Sequence, residues 1–413
     1  MIRVTAFCFL LLAAVLGFLY IDSRPVWAPF APPTVLAIEE GQIQTHASLK
    51  LPQANKSALA RPQLDWLPDT AAASVHAASL IALNDGSIRA FWFAGSREGA
   101  PDVVINSAVY NPKSAVWSSP TVVMDRVLAE RGLSRYVAKL GNPVPSRSAD
   151  GRLQLFFVTV SIGGWAGSSI STITSEDEGV TWSRPHRLIS SPFINLSTLV
   201  KSPAIQFSDG RLGLPAYHEW IGRFGQFLRI EADRVIDMRR MSSGRGAIQP
   251  ILLIDDAEHA KAYFRQARSG NQPRQIPVSQ TQNAGQTWET IGDLEISNPN
   301  SAITTLALPN GMRLMVFNNL EAGRYRLVLA MSDAAASNAS HQWKVVQVLE
   351  DDEALPSEQR REFSYPYLIR GDGNDAHLVY TWDRKKIRHI HFGSAWLNYL
   401  QGQIPDQQKE GQP

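Results

Sequence analysis

Short polar turns, mostly Asx-Gly, recur six times along the chain and divide it into similar lengths. They sit at Asp85-Gly86, Asp150-Gly151, Asp209-Gly210, Asp255-Asp256, Asn310-Gly311 and Asp372-Gly373, with 46 to 65 positions between successive turns. Asx and Gly tolerate the positive φ that a tight turn between twisted strands demands, so each turn predicts a hairpin. An apolar, strand-like run follows each one, at 88–93, 153–160, 212–216, 260–264, 314–317 and 376–380. An all-β unit repeated at this interval predicts propeller blades, and six of them predict a six-bladed β-propeller.

A second repeat runs in a different phase. Ser175-x-Asp177-x-Gly179-x-Thr181-Trp182 is one copy and Thr281-x-Asn283-x-Gly285-x-Thr287-Trp288 another, with degenerate echoes ending at Trp117 and Trp343. In such a box the Asx side chain bonds nearby amides, Gly supplies the unusual dihedral and Trp wedges between sheets. These are structural staples of a blade's outer turn, not catalytic carboxylates.

The boxes resemble the Asp-box repeats of the sialidase superfamily, and residues 75–396 as a whole resemble its sialidase-like branch. The phrases that carry the likeness are Gly95-Ser-Arg-Glu-Gly-Ala-Pro-Asp102, Leu214-Pro-Ala-Tyr-His-Glu219 and Ser364-Tyr-Pro366. The resemblance implies a grip on a sugar carboxylate by arginines, a Tyr nucleophile assisted by Glu, and an Asp acid/base. Position by position it points to Asp102 as acid/base, Arg265 and Arg324 as two of the arginines, and Tyr365 as nucleophile. The chain departs from that pattern twice. His76 stands where the first arginine is expected and Gln249 where the assisting glutamate is expected. Glutamine cannot act as a base, so little release of sialic acid from simple α-ketosides is expected. Glu219, in the neighbouring blade, is the candidate substitute for the missing carboxylate.

Blade topology assigns residues to faces before any coordinates are known. In a four-stranded antiparallel blade, the turns from strand one to two and from three to four share one face. The opposite face collects His76, Arg97, Glu98, Asp102, Tyr217, His218, Glu219, Gln249, Arg265, Arg324, Tyr365 and Arg384. Convergent titratable groups are the default place for a site, so catalytic roles fall to Asp102, Tyr365 and Glu219 and sugar binding to the others.

Composition narrows the classes that remain. The 413 residues, 44% hydrophobic, fill a large core, and a net charge of +2 without a basic-aromatic run predicts no nucleic-acid partner. The single cysteine is Cys8, so disulfides, Cys-ligated zinc and a Cys nucleophile are excluded from the folded part. No cofactor or metal is expected. Residues 4–20 carry no charge and follow Arg3, which predicts a signal peptide or signal anchor over 1–24, with the anchor favoured and the propeller exported to the periplasm or beyond. A Pro-rich linker or strap is expected over 25–70, the propeller over 71–399 and a disordered tail over 400–413. Three function classes stand: a glycoside hydrolase on an acidic or related glycan, a lyase on uronate-containing glycans, and a non-catalytic glycan-binding or envelope propeller.

Overall fold

A computed structural model describes residues 2–22, 26–32, 61–191, 195–268, 270, 273–332 and 343–402. The chain folds into six antiparallel sheets arranged as the six blades of a propeller. The inner three strands of blade one are Ser74–Ala82, Ile88–Gly95 and Val104–Asn111, and those of blade two are Lys139–Arg147, Leu153–Val160 and Ser168–Ser175. Blade three is built on Leu212–His218 and Phe224–Glu231, blade four on Ala247–Ile254 and Ala260–Gln266, blade five on Thr304–Ala307 and Arg313–Phe317, and blade six on Phe363–Arg370 and Ala376–Trp382.

Each predicted turn closes the hairpin between the first two strands of a blade. Gly86, Gly151, Gly210 and Gly311 have φ of 80–86° and donate to the carbonyls of Leu83, Ser148, Phe207 and Leu308. Beside these turns lie the boxes. Asp177 accepts from the amides of Val180 and Thr181 and from the Thr181 hydroxyl, and Asn283 accepts from the Thr287 amide. Glu178 of the first box bonds Asn84 and Arg147, which flank the turns of blades one and two. Turns and boxes therefore share one face, as strand alternation requires.

The core lies between blades. The second strand of blade one is buried throughout, and its period of two sends alternate side chains to opposite neighbours. Phe91 and Phe93 pack with blade two, whereas Ala90 and Trp92 pack with Tyr367 and Val379 of blade six. Blade six is completed by Gln63–Trp66, which pairs antiparallel with Lys386–Phe392. The residues assigned to the linker thus supply the strand that closes the ring. The helix Ser394–Gln401 seals blades five and six with Trp396, Leu397 and Leu400. Residues 33–60 and 403–413, most of the expected linker and tail, lie outside the described residues.

Candidate functional site at the propeller axis

One irregularity is repeated where the first strands of four blades approach the axis. The register slips between His76 and Ser79, Gly141 and Val144, Ile248 and Ile251, and Ser364 and Tyr367. Within each bulge one residue is left-handed: Ala77, Asn142, Gln249 and Tyr365, with φ of 45–55°. Non-glycine residues in this region cost on the order of 1–3 kcal/mol each, and bulges re-aim side chains. Pro143, Pro250 and Pro366 follow three of them. The strain is spent on turning Gln249 and Tyr365 into one cluster.

Gln249 is the hub of that cluster. Its Nε2 donates to the Tyr365 hydroxyl at 3.0 Å and to the Tyr217 hydroxyl at 3.3 Å, and its Oε1 accepts from Arg265 Nη1 at 3.3 Å. Every polar atom of the amide has a partner, which a carboxylate could not achieve beside two phenol oxygens without protons from them. Arg265 Nε donates to Asn300 Oδ1 at 2.6 Å, and the Asn300 carbonyl accepts from Arg324 Nη2 at 2.9 Å. Arg324 Nη1 lies 3.1 Å from Glu362 Oε1, and the same carboxylate binds Arg384 Nε at 3.1 Å. Arg384 also pairs with Glu98. One polar chain therefore runs from Tyr217 through Gln249, Arg265, Asn300, Arg324, Glu362 and Arg384 to Glu98, drawing on blades three, four, five, six and one.

His76 and Lys201 fill the floor. The His76 ring lies 4.2 Å from that of Tyr365, and neither of its nitrogens has a hydrogen-bond partner. Burial first, then the Arg384 charge, push its pKa well below the usual histidine value, so it is neutral. Lys201 is buried, its Nζ donates to the Pro366 carbonyl, and it faces the Tyr365 ring at 6.0 Å. Burial, helped by Arg265, brings its pKa down to about 7. A small cleft is lined by Ala77, Ala78, Asn142, Pro143, Lys201 and Tyr365. A roomier cavity of about 200 Å³ lies off the axis, between residues 67–72, Trp92 and residues 385–387, and holds none of the groups above. We place the site at the axis because the titratable groups meet there.

Three of the carboxylates at this end differ in state. Burial raises the pKa of Glu219, with Arg265 and Arg223 opposing. Burial would raise Glu362 too, but the Ser364 hydroxyl and the charges of Arg384 and Arg324 outweigh it and hold it at about 2. Asp102 is exposed and accepts from the Ser96 hydroxyl and amide, both at 2.9 Å, which lowers its pKa. Arg97 is exposed on the same loop, which joins the cluster through Glu98. His218 accepts from the Ile221 amide and stacks on Phe224, so its ring serves its own loop.

The structure thus brings together Tyr217, Gln249, Arg265, Arg324, Tyr365, Arg384, Glu98 and His76, with Glu219 alongside, and leaves Arg97, Asp102 and His218 outside the hydrogen-bonded chain. Sequence reasoning gave no site role to Glu362, Asn300 or Lys201. The available signal was position: Lys201-Ser-Pro203 sits in its blade where Asn142-Pro143 and Gln249-Pro250 sit in theirs. Among the described residues no group of three or more His, Cys, Asp or Glu side chains is arranged to hold a metal.

Comparison with known proteins agrees with this architecture. A family model, the BNR repeat-like domain, matches residues 86–378, well over half of the chain. No curated protein matches. Among solved structures, a Hadza microbial sialidase is similar with a TM-score of 0.62 at 14% identity, covering 78% of this chain and 66% of its own, just under two thirds. The intramolecular trans-sialidase from Ruminococcus gnavus gives 0.60 at 15% identity, covering 78% and 95%. A Dyadobacter fermentans protein of unknown function gives 0.63 at 12% identity, covering 79% and 97%. Identities this low carry the fold alone. The six blades, the boxes and the family match lead to one statement: the chain belongs to the BNR repeat-like domain family and has the sialidase-like propeller fold.

Proposed function

We propose that this protein is an exported, sialidase-like glycoside hydrolase acting on an acidic or related glycan. One observation carries the reading. Among the described residues Arg265 bonds only the neutral side chains of Gln249 and Asn300, whereas Arg324 and Arg384 share Glu362. A half-buried guanidinium bonded to no carboxylate, beside two tyrosines near the propeller axis, suits an anionic group of a ligand.

The chemistry then divides among neighbours. Arg265, with Arg324 next along the chain, fixes the sugar's carboxylate. Tyr365, a neutral phenol that does not repel an anionic sugar, bonds to the anomeric carbon as the bond to the leaving oxygen breaks. Its hydroxyl proton passes to water, and a second water then hydrolyses the tyrosyl–sugar bond. Gln249 positions the Tyr365 oxygen and cannot take its proton. Glu219, whose carboxyl is biased toward the protonated form, donates to the leaving oxygen, a role that needs a raised pKa. Asp102, to which the family resemblance points, is instead stabilised as the anion by Ser96.

Export and tethering belong to the same proposal. Residues 4–20 lie in the helix Ile2–Asp22, whose described side chains, Phe7, Phe9, Leu10, Leu11, Leu12, Val15 and Leu16 among them, are exposed. Among the described residues no helix is long and apolar enough to cross a membrane, but a row of exposed apolar side chains needs a cover other than water, which supports contact with a bilayer.

The test is a panel of sialylated, uronate-containing and neutral glycans incubated with the purified full chain in detergent. New reducing ends from acidic glycans, with little release from simple α-sialosides, are expected. Unsaturated products absorbing near ~235 nm would replace this reading with a lyase, in which an arginine-bound carboxylate acidifies the neighbouring carbon. Binding without turnover would make it a glycan-binding propeller.

A further inference from the structure

We propose that the face bearing the Asx-Gly turns and Asp boxes is the face turned toward the lipid bilayer, so that the axial site opens away from it. This rests on the tether reading above and adds to it an orientation. The segment directly after the helix is pinned to that face. Trp27 is buried between Phe207 and Phe227, at 5.6 and 5.5 Å, and its Nε1 donates to Asp237 at 2.8 Å. Phe30 donates its amide to Ala257 and bridges to Phe207, Ala31 donates to Gln206, and the Pro29 carbonyl accepts from Ser208. These partners belong to the Asx-Gly turn of blade three and the Asp255-Asp256 turn of blade four. The Trp27 amide also reaches Gln286, inside the box of blade four.

Chain length turns this attachment into an orientation. Four residues, hence five Cα-to-Cα steps, separate Asp22, the end of the helix, from Trp27, and they reach at most ~18 Å even fully extended. A blade strand of eight residues such as Leu153–Val160 spans about 27 Å between the two faces. The helix end therefore cannot pass the edge of the disc to the site side. A bilayer holding the helix meets the box face, and the axial site faces the aqueous side. The substrate is then a glycan in solution or on an opposing surface, not the headgroup of a lipid in the same membrane.

Fluorescence quenching tests the orientation. In the full chain with Cys8→Ser, single cysteines are introduced by Ile162→Cys, on a site-face loop, or Val180→Cys, in the first box; both positions are exposed. Each labelled variant is incorporated into liposomes carrying a headgroup quencher, and flotation is scored separately. Flotation of both, with quenching at position 180 at least threefold that at 162, is expected. Flotation with equal or stronger quenching at 162 would overturn the orientation while leaving the tether intact. Failure of both variants to float would overturn the tether, and the orientation with it.

Discussion

Replacing Glu219 by Gln should lower turnover of the acidic substrate by about 10²- to 10⁴-fold, the contribution of a positioned general acid, while leaving binding nearly unchanged. The side chain is half-buried beside Arg265 and Tyr217, and burial raises its pKa against the opposing charges of Arg265 and Arg223. The wild-type rate should fall as pH rises through the raised pKa, because the reaction needs the protonated acid. The residual rate of Glu219→Gln should lack that alkaline fall. Asp102→Asn gives the contrast: its carboxylate caps Ser96 at an exposed loop, so the variant should retain most of the rate. A collapse with Asp102→Asn and near-normal turnover with Glu219→Gln would reverse the assignment. The steady-state rate against pH for the three proteins decides it.

Much of this architecture was legible because its determinants are local. An Asx-Gly turn closes a hairpin with the residues it contains, so the six turns set six blades, and alternation of turns assigned the faces. Long-range pairing left no comparable mark. Gln63–Trp66 carries no turn signal, and its partner strand, with His391 opposite Gln63, lies at the other end of the chain. At the site, Arg265, Arg324 and Tyr365 were found from their blade positions, but the function of Gln249 was not. As a departure from a glutamate it looked like a loss, whereas its amide satisfies two phenols and a guanidinium at once. Asp383 and Arg384 are neighbours in the chain but do not pair with each other. In the fold Asp383 pairs with Lys385, and Arg384 reaches across the ring to Glu362 and Glu98. Nothing within the Arg384 segment encodes its distant partners.

Stability should fall steeply below pH 6.5. His76, His377 and His389 are all nearly inaccessible to water, and burial is the leading cause that pushes each pKa down, His389 to about 3. His377 and His389 share a 3.0 Å contact, and Tyr110 of blade one lies 4.7 Å from the His389 ring, so both sit where blade six meets blade one. The folded state keeps the three rings neutral while the unfolded chain protonates them near ~6.5. Their contribution is therefore full above ~6.5 and is lost as pH falls toward the folded pKa values. Each ring removes up to ~1.4 kcal/mol per pH unit, so three remove about 4, against a typical total of about 5–15 kcal/mol. Urea unfolding at pH 7.5, 6, 5 and 4 should show this fall, and His389→Gln should flatten it. A midpoint constant from pH 7.5 to 5 would show that the rings titrate in the folded state.

The central claim is that the bulged first strands gather Arg265, Arg324, Gln249 and Tyr365 into one axial site for an anionic sugar. Calorimetric titration of the wild type and Arg265→Ala with a carboxylate-bearing sugar and its neutral methyl ester addresses it directly. Two charge-assisted bonds worth about 1.5–3 kcal/mol each predict at least tenfold weaker binding of the acid to Arg265→Ala, with little change for the ester. Equal affinity of the wild type and Arg265→Ala for the acid would contradict the account.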